Sequence, residues 1–241
     1  MSNLLIVEGK SDLPFVEALT KYLNLSNIEF GIPICKIDDY ECLQGEGELG
    51  KQLKSLINDI KNGRKEIRKI GIILDIDKND LRQRIKFVNS QLKQLKHLLG
   101  QQYRIVEAGQ FISLTVPTDD DEDDEDIIIE LACYFMNVEG IGELETVLKA
   151  IKAKDSLYAD CLQNWRDCLK SHNQEISDKF FDKHWLHYYI RYDTCSEEEQ
   201  RLAGDYCDVR RLDYVFKNKP DIFNFDHDVL NELKAFLLMF N

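Results

Sequence analysis

Four acidic residues have types and spacing suited to chemistry: Glu8 at the end of the apolar run NLLIVE, Asp12 four positions later, and Asp75 and Asp77 at the end of KIGIILDID. Ligand sites in open parallel sheets lie outside the carboxyl ends of strands, and both runs end there. In an extended chain, residues two apart point to the same side, so Asp75 and Asp77 are expected to present their carboxylates together. Two such groups repel unless a positive charge lies between them, and a hard divalent cation held by oxygen supplies it. Asp12, in a first helical turn, either faces the same crevice or stabilises that helix through its macrodipole. The intervening Gly9-Lys10-Ser11 invites a phosphate-cradle reading, which fails because a P-loop requires glycine five residues before Gly9 and position 4 is Leu. Lys10 then has two readings, a point charge for a phosphate beside Glu8 or a solvated loop lysine.

Alternating strands and helices must position these acids. Residues 3–8 read as a strand buried on both faces, followed by a helix with Phe15, Leu19, Tyr22 and Leu23 on one side. A second strand is expected at 30–37, then a helix through Leu49, Leu53, Leu56, Ile57 and Ile60 that stops at Gly63. A third strand at 69–75 and a long helix from about Leu81 to Leu99 follow. Residues 103–116 read as one or two strands, 127–136 as a buried strand, and VEGIGELETVLKAI as a turn into another helix. This order predicts an α/β protein with a mostly parallel, Rossmann-like sheet and helices on both faces. Residues 1–154 form the α/β domain, and 155–241 a mainly helical C-terminal extension packed on it.

Composition limits the partners. The chain has 241 residues, is 44% hydrophobic and 31% charged, and carries a formal net charge of -13, which repels nucleic-acid phosphates unless basic residues cluster or cations intervene. The basic stretch 64–69 and the set Arg82, Arg84 and Lys86 are interrupted and read as solvated faces. Eight consecutive acids, Asp119 to Asp126, read as a self-repelling insertion. No run is long and apolar enough for a membrane span, and the start lacks signal-peptide character, so a cytoplasmic protein is expected. The seven cysteines show no paired motif and read as reduced. His184 and His187 with Cys195 or Cys207 match no tight zinc spacing, and Trp165, Trp185, Tyr188, Tyr189 and Tyr192 read as core packing ahead of base stacking.

Glu8-Gly9 after an apolar strand, Asp12, and Asp75-x-Asp77 after another strand together resemble the Toprim domain of primases, topoisomerases and OLD-family nucleases. VEGKSD and YFMNVEGIGELETVL resemble small stand-alone OLD-like Toprim proteins in particular. The resemblance implies a Toprim-like sheet whose acids hold Mg²⁺ or Mn²⁺. It adds Glu145 as a further ligand with Glu143 as a less certain neighbour, and makes Glu8 either a ligand or a general base. The implied activity is phosphodiester hydrolysis on DNA or RNA. The alternative is a non-catalytic metal-binding module that acts with a protein partner, an ATPase or a basic protein.

Overall fold

The computed structural model describes residues 2–35, 45–77, 79–118, 125–202 and 206–241. Its centre is a five-stranded sheet of β1 (Ser2–Val7), β2 (Ile28–Phe30), β3 (Ile67–Asp75), β4 (Ile112–Val116) and β5 (Ile127–Met136), in the order β2-β1-β3-β5-β4. All neighbours run parallel except β4, which is antiparallel to β5. The expected α/β class is therefore observed.

Strand periodicity explains the two cores. On one face, Leu4 and Ile6 of β1, Ile70, Ile72 and Leu74 of β3, and Leu131, Cys133 and Phe135 of β5 pack against α2 (Gly45–Lys61), α3 (Leu81–Lys93) and α4 (Lys96–Leu99). On the other, Leu5, Val7, Ile73, Ala132, Tyr134 and Met136 meet α1 (Asp12–Tyr22), α5 (Leu144–Ala150), α7 (Asp178–Tyr188), α9 (Leu212–Asn218) and α10 (Asn231–Leu238). Helices α6 (Leu157–Ser171) and α8 (Glu197–Leu202) complete the C-terminal part.

That second core joins the C-terminal helices to the sheet. A Cβ built on Gly71, in the middle of β3, would lie 2.5 Å from Leu5 Cδ2 and 2.7 Å from Phe240 Cζ, so the missing side chain makes room for the chain's last aromatic. Phe240 is fully buried there, and Asn3 Nδ2 donates to its carbonyl at 2.6 Å. Fully burying a side chain of this size contributes about 1.5–3 kcal/mol.

Several expectations change. The second strand occupies 28–30 and 31–35 are not strand, while 36 and 37 of the expected 30–37 lie outside the described residues. Residues 31–35 still run beside β1, with Gly31 N donating to Leu5 O at 2.8 Å and Cys35 N to Glu8 O at 2.7 Å, but Pro33 lacks the N–H a ladder needs. The long helix divides at Gln94 and Leu95, whose amides donate to carbonyls three residues back instead of four. Tyr22 is exposed and donates to Asp226 Oδ1 instead of joining the core. Only one strand forms within 103–116; Ile105, ahead of it, is held by reciprocal hydrogen bonds with Asn89 at 2.8 Å. Of the acidic run, 119–124 lie outside the described residues, and Glu125 and Asp126 are exposed.

Cys195 and Cys207 are disulfide-bonded, contrary to the reduced reading, with their Cα atoms 6.4 Å apart. The bond removes both thiols from any zinc set with His184 and His187. Trp185 and Tyr189 are buried as core, whereas Trp165 and Tyr192 are substantially exposed. Among the described residues no helix is long and apolar enough to cross a membrane.

Candidate metal centre

The strand register aligns the carboxyl ends of β1, β3 and β5: Val7 pairs with Ile73, and Asp75 with Met136. From β1 the chain crosses first to β2 on one side and then to β3 on the other, so Glu8 and Asp75 stand at a topological switch point, where open α/β sheets bind ligands.

Each acid is fixed by local backbone. Glu8 follows β1, and its Oε2 accepts from the Asp75 amide at 2.9 Å, linking the two strand ends. Asp12 opens α1 and accepts from the Gly9 amide at 2.6 Å, so it orders the turn while lying buried within electrostatic reach of Glu8, Glu145 and Glu143. Asp75 is the last residue of β3.

Asp77 does not arrive by strand alternation. Its φ is +52°, in the left-handed region that Asp tolerates better than most residues. Its amide donates to Gly142 O at 2.9 Å, and the Gly142 amide donates back at 3.3 Å. Gly142, at φ +99°, could not carry a Cβ, which would meet the Thr146 side chain at 2.6–2.8 Å. This bridge carries Glu143, the residue before α5, across to Asp75 and Asp77.

Asp75, Asp77 and Glu143 each place one carboxylate oxygen within 4.8 Å of the other two. Asp75 Oδ1 and Glu143 Oε1 are buried with no hydrogen-bond partner. Glu143 is thus in the triad, while Glu145, the residue favoured by the sequence pattern, lies behind it, buried and 3.6 Å from Lys183 Nζ. Lys10 is exposed on the β1–α1 loop. Asp80 serves α3 as its N-cap, accepting from Gln83 N at 2.7 Å.

Among the described residues, three cations join the cluster. Arg84 was read as a solvated residue, but its side chain is only 13% exposed: Nε donates to Asp75 O at 2.5 Å, and one terminal nitrogen lies 3.2 Å from Glu8 and 2.8 Å from Asp77. Lys179 and Lys183, one turn apart on α7, were not anticipated. Lys179 Nζ bridges Glu143 Oε2 at 2.6 Å and Asp77 Oδ1 at 3.1 Å. The spacing of two lysines four apart, beside Asp182, was the available signal, although nothing local says which helix faces the acids.

Electrostatics record the crowding. Burial, reinforced for Asp75 by Asp12 and Glu8, pushes the Asp12 and Asp75 carboxyls well above their ordinary range. Burial raises Glu8 despite Arg84, and burial with the charge of Glu145 lifts Glu143 to about 7 against the pull of Lys179. Burial opposes the charge on Lys179, yet Glu143 and Asp77 push it above the ordinary lysine value.

The shift of Glu143 predicts a pH dependence. Between its ordinary value of 4.5 and about 7 the folded state holds a proton that the unfolded state has released, so this group's contribution falls as pH rises through that window. Without divalent metal, wild type should lose on the order of 2 kcal/mol relative to Glu143→Gln between pH 4.5 and pH 8. Urea melts of both proteins at the two pH values check this; a gap that stays constant refutes it.

The family model described as "Protein of unknown function (DUF3226)" matches residues 2–240. No curated protein matches the chain, and no solved structure does.

Proposed function

We propose, for a chain that belongs to the DUF3226 family, a divalent-cation site at Asp75, Asp77 and Glu143 that serves phosphodiester hydrolysis on DNA or RNA. The observation that carries the reading is the pair of orphaned atoms: Asp75 Oδ1 and Glu143 Oε1 are buried, unpartnered and part of one three-carboxylate cluster. Burying a carboxylate oxygen without a partner is costly, and a hard cation relieves that cost. All three donors are carboxylate oxygens, which suits Mg²⁺ or Mn²⁺.

A cation held there supplies Lewis acidity toward a phosphoryl oxygen and acidifies a water. The protein's own residues do the rest. Asp75, Asp77 and Glu143 fix the position. Glu8, tied to the Asp75 amide, lies beside them with its carboxyl raised by burial, in position to act as a base. Arg84 holds Glu8 and Asp77 in place, and Asp12 orders the turn after Glu8. The resemblance to Toprim proteins, carried by Glu8, Asp12, Asp75 and Asp77, and to those of the OLD type, carried by VEGKSD and YFMNVEGIGELETVL, supports hydrolysis as the chemistry.

Mn²⁺ calorimetry and plasmid nicking on one preparation test the proposal. Binding together with Mn²⁺-dependent nicking is expected. Binding without cleavage of DNA or RNA would favour the non-catalytic module acting with a protein partner, and absence of binding refutes the site.

A further inference from the structure

We propose that Lys179 is a tethered counter-ion that pairs with two of the three carboxylates of the cation site and must withdraw when a divalent ion enters, so that the C-terminal helical part sets the metal affinity of the sheet. This inference rests on the metal-site reading above. Lys179 Nζ lies 2.6 Å from Glu143 and 3.1 Å from Asp77, two of the three triad members, and so neutralises the charge that a metal would neutralise. Lys179 holds Glu143 through Oε2 and Asp77 through Oδ1, while the unpartnered atoms are Asp75 Oδ1 and Glu143 Oε1, so an entering divalent ion meets the ammonium across the same carboxylates, and at about 4 Å their repulsion is several kcal/mol near a protein surface.

Of the three cations in the cluster, Lys179 is the one built to leave. Its side chain is 35% exposed, in the first turn of α7, and rotation of a flexible stem carries the charge into water. Arg84 is 13% exposed and anchored by its bond to the Asp75 carbonyl, and Lys183 pairs with Glu145 outside the triad. Helix α7 does not depend on Lys179. Asp182 accepts from Lys149 at 2.7 Å and Thr146 at 2.9 Å, Ser177 caps the helix, and Phe181, Trp185 and Leu186 are buried. The ammonium can move while its helix stays docked on α5.

Competition has a direction that a ligand-orienting role lacks. Mn²⁺ titration by calorimetry on the full chain should show Lys179→Met and Lys179→Gln binding about tenfold more tightly than wild type, with a larger Mn²⁺-induced rise in melting temperature. In wild type, Mn²⁺ should make Lys179 acylate faster, read by mass spectrometry, which needs no variant to fold. Equal or weaker binding by the variants, or unchanged or slower acylation of Lys179, overturns the competition while wild-type binding leaves the site standing. No Mn²⁺ binding by wild type or variants overturns both.

Discussion

Asp75→Asn is expected to abolish divalent-cation binding, a loss of at least about a hundredfold, while leaving the metal-free protein folded and more stable by about 1–2 kcal/mol at pH 8. The two effects share one cause. Asp75 has its Oδ1 buried and unpartnered, and its charge is opposed by burial, then by Asp12 and Glu8, then by Glu145 and Glu143. The amide keeps the shape and removes the charge, so the apo protein gains what repulsion had cost and the cation loses a ligand. The backbone tie from Glu8 to the residue 75 amide and the Arg84 bond to its carbonyl do not involve the side chain and survive. Calorimetry and urea melts with and without Mn²⁺ check both halves. A variant that binds Mn²⁺ as wild type does, or that unfolds without metal, refutes this account.

The part of this centre legible from sequence was the part encoded by strand ends. Glu8 and Asp75 could be found because an apolar run fixes where a buried strand stops, and the α/β order fixes which end carries ligands. Leu4 to Val7 and Ile70 to Leu74 are buried as such runs require. What could not be read was anything decided by a turn or a distant helix. Asp77 was expected from strand alternation but arrives through a left-handed residue bridged to Gly142, and that bridge, more than the sequence pattern, selects Glu143 over Glu145. The counter-ions were hidden for a different reason. Arg84 looks like any helix-surface arginine until the Asp80 cap fixes the start of α3, and Lys179 reaches Asp77 from 102 positions away. Pro33 was a local signal against a strand at 30–37, overridden by the apolar residues around it.

Arg84→Met should be the most destabilising substitution at the site, costing about 3 kcal/mol without divalent metal, a large share of an ordinary domain's stability. Arg84 alone touches all three strand-end elements: the Asp75 carbonyl, Glu8 after β1 and Asp77 before α3. Removing it leaves two carboxylates without their shared partner in a cluster that, among the described residues, already holds six acids against three cations. The residual exposure of Glu8 and Asp77, at 19% and 27%, lets water reach them and keeps the cost at the lower end for a broken buried pair. Arg84→Lys should recover little, because an ammonium has no planar fork with which to donate to a carbonyl through one nitrogen and to two carboxylates through another. Mn²⁺ should restore part of the loss, since a cation on Asp77 replaces one of the missing contacts. Urea melts of both variants with and without Mn²⁺ distinguish the possibilities: full rescue by lysine would reduce Arg84 to a bulk charge, whereas loss in both variants with partial recovery by metal identifies it as the clamp that sets the geometry of the acids.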